Sequence, residues 1–357
     1  MHSRRQLNPR RLSSYPMTTS ASPFNATSAL HLDDPHAVAC AVADTMRQQI
    51  VAVLGRRGLV VGMSGGVDSS VCAALAVRAV GADRVLGLFM PERDSDPSSL
   101  ELARDWAEQL GIPYVVEDIS APLEGCGCYR RRDEAIRRLV PEYGDGWRCK
   151  LVLPGGRLDS DRLNVFRLAV QPPNGEVRSV RLPASEYRAI VAATNFKQRI
   201  RKMMEYYHAD RLHYAVLGTP NRLEYDQGFF VKGGDGLADL KPIAHLYKSQ
   251  VYQLAECLGV PEAITSRPPT TDTYSLPQSQ EEFYFSLPAR TMDVVLFAHN
   301  AGLAAEQVMT ELDCRADQVE RAYREIEQKR STTRYLHTPP LLVTPVTEVR
   351  QDPAGTD

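Results

Sequence analysis

Val60 to Ser70 reads VVGMSGGVDSS: β-branched residues, a pair of glycines, then an aspartate followed by two serines. A glycine turn between a strand and a helix presents backbone N–H groups, and the helix N-terminus adds partial positive charge. Such a turn binds anions without any basic side chain. Ser64 and Ser69 would add hydroxyl donors to the N–H groups of Gly65 and Gly66. The lysine of the G-x-x-x-x-G-K-[ST] loop is missing, so this is not the usual nucleoside-triphosphatase loop. Asp68 among phosphates is unfavourable unless it holds a cation, and magnesium on carboxylates beside phosphates is the common solution. The other reading is a plain strand-to-helix turn with Asp68 as a helix cap.

The elements that must position this turn are readable on both sides of it. Leu32 to Gly55 has apolar residues at helical spacing, with Asp33 and Asp34 at its start, where anions suit the helix dipole. Arg57–Met63 reads as a buried strand and Ser69–Val80 as an alanine-rich helix. Arg84–Met90 and Pro113–Ile119 are strand-like, with a helix over Ser98–Leu110 between them. Strands alternating with helices of this length predict a doubly wound parallel sheet with right-handed crossovers. The middle differs: NVFRLAVQPPNGEVRSVRL, within Leu151–Leu182, is two alternating runs around Pro-Pro-Asn-Gly, a hairpin signal. A β-hairpin insertion over about residues 150–190 is expected in the α/β core. Helices follow at Asn195–Ala209, Lys248–Leu258, Met292–Asn300 and Ala316–Arg330, with a strand at His213–Leu217. Residues 219–247 are rich in glycine, proline and charge, and a loop this long inside a compact domain is functional or disordered.

Composition bounds the function. The 357 residues, 43% hydrophobic and 24% charged, are enough for one large or two small domains. A net charge of −2 argues against a nucleic-acid partner, which draws a basic excess. No apolar run approaches the roughly 18 residues of a membrane span. Seven cysteines lack zinc-ligand or C-x-x-C spacing, which points to free thiols in a reducing cytoplasm. Residues 1–32 have four arginines, much Ser and Thr and one acidic-free stretch before Asp33. They read as a disordered tail or an upstream start before Met17, and a transit peptide shares the composition. The Thr- and Pro-rich end, 331–357, is expected to be loose. The domain between them is 33–330.

The loop SGGVDS after an apolar strand resembles the pyrophosphate loop of the N-type ATP pyrophosphatases, whose fold is the adenine nucleotide alpha hydrolase-like one. The second half narrows the resemblance. TNFKQRIRKMMEYYHA from Thr194 resembles the GN-x-x-AR-x-RM helix of NAD synthetases. GTPNRLEYDQGFFVKGGDGLADLKPIAHLYK from Gly218 is similar to that family's GT…E…GFFTK-x-GDG-x-ADL-x-P…L-x-K stretch. PPTTD from Pro268 resembles its PTAD.

The resemblance implies an ammonia-dependent ligase that uses ATP to amidate nicotinic acid adenine dinucleotide, releasing AMP and pyrophosphate. It implies that Ser64, Gly65, Gly66, Asp68 and Ser69 hold pyrophosphate, and that Asp68 and Glu224 bind Mg2+. Thr219, Lys248 and Thr270 would contact ATP, its phosphates or the adenylate. Asn195, Arg199, Lys232, Asp235 and Asp239 would surround the dinucleotide, and Asp68, Lys232 and Lys248 would carry the catalysis. Arg199, Arg201 and Lys202 otherwise read as a solvated helix face, and Asp235 and Asp239 as turn and cap residues. The family implies a homodimer, with free ammonia or a separate glutaminase partner as nitrogen source. Cys126, Cys128 and Cys149 read as ordinary thiols without a glutaminase domain around them.

Three departures bear on the substrate. The insertion falls just before Asn195 and reads as a decoration, an oligomer contact, or a lid that alters the pocket. Val231 stands where the family motif has threonine, and TYSLPQSQEEFYFSLP replaces an acidic loop after Asp272. The rival readings are a related ligase for another carboxylate, a nucleotide-binding regulator without turnover, and a tRNA-thiolating enzyme.

Overall fold

Four short runs, β-branched or aromatic, build the central sheet of the computed structural model, which describes residues 25–153, 166–268, 273–278 and 287–348. They are β1 (Leu59–Gly62), β2 (Val85–Phe89), β3 (Tyr114–Val116) and, after the insertion, β7 (Ala215–Leu217). All pairs are parallel, in the order β3-β2-β1-β7. The chain moves outward from β1 to β3 on one side and later returns to β1 on the other. The carboxyl ends of β1 and β7 therefore flank the switch point, where open α/β sheets bind ligands.

Alternate residues of each strand face opposite layers, which is why the strands are apolar on both sides. Leu59, Val61, Val85, Phe89, Ala215 and Leu217 pack against helices α1 (Pro35–Gln48), α2 (Val67–Val80) and α3 (Pro97–Leu110). Val60, Leu86, Leu88 and Val216 pack on the other face, against Ile200 and Ala209. Those two belong to α5 (Ala184–Leu212), which follows α4 (Cys128–Arg137) in the chain. The expected doubly wound sheet is present. Helix α1 starts where its aspartates predict: Asp34 accepts a hydrogen bond from the Ala37 N–H at 2.9 Å, and Pro35 follows it in the first turn.

The insertion is a three-stranded antiparallel sheet rather than a hairpin. Strands β5 (Arg167–Gln171) and β6 (Arg178–Arg181) flank the Pro-Pro-Asn-Gly turn as expected, and β4 (Arg148–Val152) adds to β5. Helix α5 then starts at Ala184, eleven residues before the expected Asn195.

Both terminal boundaries move. Ala26 and Leu30, expected in a disordered tail, are buried against Val294 and Ala298 of α8 (Ala289–Asn300). Gln253 of α7 (Lys248–Cys257) donates to Leu30 O at 2.9 Å and accepts from Leu32 N–H at 2.8 Å. Residues 1–24 lie outside the described residues. At the other end α10 (Ala316–His337), after α9 (Ala305–Leu312), runs past Arg330, so 331–337 is helix and not a loose tail. The short helix α6 is Arg222–Gln227.

Candidate active site

The phosphate loop is set by its own sequence. Gly65 has φ +73° and a Cβ there would lie 2.5 Å from Ser99 O, so only glycine makes this turn. The serines tie the turn shut: Ser69 Oγ donates to Gly66 O at 3.0 Å and accepts from Ser64 N–H at 3.3 Å, and Ser70 Oγ donates to Gly66 O at 2.9 Å. Gly66 is the N-cap of α2 and offers no side-chain cap. Asp68 sits in the first turn of α2, and its carboxylate leaves the helix to meet Lys248 and Asn221.

Tertiary structure assembles the charged centre opposite the loop. Lys248 opens α7, only 4% exposed, and its ammonium hydrogen-bonds and ion-pairs with Asp68 Oδ2. Burial disfavours the lysine's charge, but Asp68 and Glu224 outweigh that and hold its pKa above the ordinary value. Glu224 comes from α6 and is fixed by a capping box. Its N–H donates to Asn221 Oδ1 at 3.1 Å, and its Oε2 accepts from Asn221 N–H at 3.2 Å. The Asn221 amide also reaches Asp68 Oδ1 at 3.4 Å.

Sequence reasoning missed Asn221, although Asn followed three residues later by Glu is the signal that could have found it. It also missed Asp293 of α8, whose carboxylate accepts the Lys248 and Ser249 N–H groups at 3.2 and 2.7 Å. That cap fixes the start of α7, and burial pushes the Asp293 carboxyl up to about 6.

Loop and charged centre open into a cavity of about 550 Å3. One face of α5 runs along it, from Tyr187 through Val191, Thr194, Asn195, Gln198 and Lys202 to Glu205. Arg199, Lys232, Asp235 and Thr219 also line it. Lys202 reads from the sequence as part of a solvated helix face; instead it is 4% exposed and pairs with Glu205 at 2.6 Å. Thr270 lies outside the described residues.

Two expected substrate contacts are placed differently. Asp239 does not line the cavity: its carboxylate accepts the Val216 N–H at 2.7 Å and the Tyr206 hydroxyl at 3.2 Å. Residues 239–240 run along the outer edge of β7, where Asp239 N–H donates to Val216 O at 3.0 Å and Leu217 bridges Leu240, so the Asp239 carboxylate completes that pairing by accepting the strand's N–H. Lys232 lines the cavity, but its ammonium donates to Tyr335 O at 2.6 Å and Thr338 O at 2.8 Å. A lysine at the carbonyl end of a helix is favoured by the dipole. Lys232→Ala is therefore expected to speed amide exchange over Thr333–His337 by about 10- to 150-fold, the loss of charge-assisted bonds worth roughly 1.5–3 kcal/mol. Unchanged exchange there would show that Lys232 does not hold α10.

A buried network joins α5 to the end of β2. Lys197 donates to Glu92 Oε1 at 2.7 Å, Asp94 Oδ2 at 2.9 Å and Thr273 O at 2.8 Å. Arg132 reaches Asp94 at 2.7 Å and the Tyr129 hydroxyl reaches Glu92 at 2.7 Å. Burial would raise the Asp94 carboxyl, but Lys197 and Arg132 together hold it at about 2. A depressed folded pKa gives stability that is full above about pH 4 and is lost as pH falls toward 2, about 2.5 kcal/mol for this one group. Urea midpoints should fall less between pH 4 and 2 in Asp94→Asn than in wild type; equal slopes would remove Asp94 from the acid response.

Two of the three candidate thiols, Cys128 and Cys149, are inert by environment. Burial pushes Cys128 up to about 11 and raises Cys149, so neither is a ready thiolate. All seven cysteines are free.

A parallel sheet with a phosphate loop at its switch point defines a nucleotide-binding α/β protein. Compared with known proteins, the chain matches the NAD synthase family over residues 39–134 and 170–339. It is 60% identical to the NH(3)-dependent NAD(+) synthetase of Mesorhizobium japonicum over 301 residues, 84% of this chain and 94% of that one. It is 56% identical to the NH(3)-dependent NAD(+) synthetase of Rhizobium rhizogenes over 329 residues, 91% of this chain and 99% of that one. A solved NH3-dependent NAD synthetase from Campylobacter jejuni shares the fold, with a TM-score of 0.56 at 19% identity, covering 87% of this chain and 100% of that one. The chain belongs to the NAD synthase family.

Proposed function

We propose that this chain is an ammonia-dependent ligase that converts nicotinic acid adenine dinucleotide to NAD with ATP. The observation that carries the reading is the Asp68–Lys248–Glu224 centre facing the glycine loop, in a chain 60% identical to an ammonia-dependent NAD synthetase. Loop N–H groups and the start of α2 hold the departing pyrophosphate. Lys248, kept charged by its two carboxylates, neutralises charge on the phosphates as the nicotinate carboxylate attacks the α-phosphorus. Ammonia then attacks the acyl carbon of the adenylate, loses a proton and expels AMP. Catalysis is mainly positioning and charge neutralisation.

The donor set suits Mg2+. Asp68 and Glu224 both act on Lys248 and on the buried Cys72, so the two carboxylates share one small space beside the loop. Among the described residues no cluster of three metal ligands exists, which fits an ion held by one or two carboxylates and by substrate phosphates. Such an ion would supply further charge neutralisation at the phosphates.

A homodimer, a cytoplasmic location and ammonia from solution or from a separate glutaminase belong to the same reading, on the family resemblance and on free cysteines. No helix among the described residues is long and apolar enough to cross a membrane. The test is a coupled assay with Mg-ATP, ammonium and nicotinic acid adenine dinucleotide, reading NAD with alcohol dehydrogenase. NAD formed at a steady rate supports the reading. Silence at saturating ammonium, with ATP–pyrophosphate exchange driven by another carboxylate, would replace it by the related ligase. Light scattering at assay concentration tests the dimer.

A further inference from the structure

Residues 135–169 fall between the two stretches that match the family, and Phe166 among them lines the cavity. The insertion bears on the cavity at two places, one of them through a second segment. The first is the edge of β4. Leu276 N–H donates to Cys149 O at 3.1 Å, Cys149 N–H donates to Ser275 Oγ at 2.9 Å, and the Lys150 ammonium donates to Pro277 O at 3.0 Å. The Gln278 amide donates to Leu151 O. Segment 273–278 is thus laid along β4, and its Thr273 and Tyr274 line the cavity.

The second place is Phe166, at the start of β5. Its ring stacks on Tyr187 of α5 with centroids 4.6 Å apart and planes 25° from parallel. Both rings line the cavity and both are half-buried. Tyr187 and Glu205 bound the cavity face of α5, and at about 1.5 Å per residue they stand about 27 Å apart. Glu205 lies under Gly62, where β1 enters the phosphate loop. The aromatic pair therefore occupies the end remote from the charged centre. Around it are Val191, Thr194, Thr273 and Tyr274, apolar surfaces and hydroxyls without a charge. That chemistry suits a planar base and not a phosphate.

We propose that the insertion is a substrate-binding element: Phe166 and Tyr187 form a stacking platform for the adenine ring of a nucleotide substrate, and β4 holds segment 273–278 against the same end. This rests on the proposed function, in which ATP and the dinucleotide both carry adenine. Base-on-aromatic stacking is sequence-local and strong, and loss of one ring weakens binding by roughly 5- to 150-fold.

The experiment varies ATP and the dinucleotide separately in wild type, Phe166→Leu, Tyr187→Leu and Tyr187→Phe, with dissociation constants from calorimetry on the same proteins. Phe166→Leu and Tyr187→Leu are expected to raise the KM and Kd of one substrate by about 10-fold, leaving the other and kcat within about twofold. Tyr187→Phe keeps the ring, so its KM and Kd for that substrate should lie closer to the wild-type values than those of Tyr187→Leu. Movement for ATP assigns the platform to ATP's adenine; movement for the dinucleotide assigns it to that one. Unchanged constants for both substrates in folded Phe166→Leu or Tyr187→Leu would overturn the platform, as would a fall in kcat alone. If Phe166→Leu does not fold, Tyr187→Leu carries the test by itself. A wild type that binds nucleotides without making NAD would overturn the proposed function, while the calorimetry still judges the platform.

Discussion

Asp68→Asn is expected to lower kcat/KM for NAD formation by about 1,000-fold or more, and ATP–pyrophosphate exchange with it. The carboxylate stands in the first turn of α2, beside the loop N–H groups proposed to receive pyrophosphate. It is both the partner of the buried Lys248 ammonium and one of the two carboxylates proposed for Mg2+. Asparagine keeps the shape and one acceptor oxygen but removes the charge on which both roles depend. Mispositioned charge stabilisation at a reacting phosphate costs about 4 kcal/mol or more of transition-state energy, which is the predicted rate loss. Stability should fall by a smaller amount, about 1–3 kcal/mol, because Lys248 keeps Glu224 as a counter-charge. Asp68→Ala should lose more stability than Asp68→Asn with no further loss of rate. Near-wild-type exchange in a folded Asp68→Asn protein would take the aspartate out of the reaction.

Lys248→Met is expected to reduce kcat by about 100- to 1,000-fold with a smaller change in the KM for ATP. A lysine is a compact point charge that can follow a phosphate as it departs, so its contribution belongs to the transition state. Arginine at this position should not restore the rate, since a planar fork is not accommodated where a 4% exposed ammonium lies against Asp68. The raised pKa has a further consequence. Wild-type Lys248 stays protonated up to and beyond its ordinary range, so the pH–rate profile should show no fall from this group below about pH 10.5. A basic limb between pH 7 and 9 that disappears in a partially active Lys248 variant would contradict that. So would a Lys248→Met enzyme that turns over at the wild-type rate.

The reading of this chain divides along sequence separation. The strand–turn–helix from Leu59 to Val80 was legible because its physics is local. β-branched residues make a buried strand, Gly65 alone tolerates its turn, and alanines make a helix that packs closely on the sheet. The alternation of β1, α2, β2, α3 and β3 implied a parallel sheet for the same reason, and a parallel sheet with a phosphate loop at β1 locates the site. Pro-Pro-Asn-Gly likewise marked β5 and β6, since a turn is decided by the residues in it.

What the sequence left open are contacts between distant segments. β4 is five residues with no turn signal, and its identity comes from pairing with β5. Lys202 carries the same charge whether it faces water or Glu205, and only the position of α5 over β1 buries it. Lys232 and Asp239 look alike as polar residues of a glycine-rich loop; tertiary structure gives one to the end of α10 and the other to the outer edge of β7. Helix α10 continues through Ser331-Thr332-Thr333, weak helix formers, and Lys232 donates to the carbonyls at its end. Asp293 caps α7 from 45 residues away, a relation that no local pattern encodes. The sequence by itself determined the α/β fold, the glycine loop and the family. Only the tertiary structure decided which charges are paired, which are buried, and that Phe166 of the insertion lines the cavity, because burial and pairing are properties of neighbours the chain brings together only when it folds.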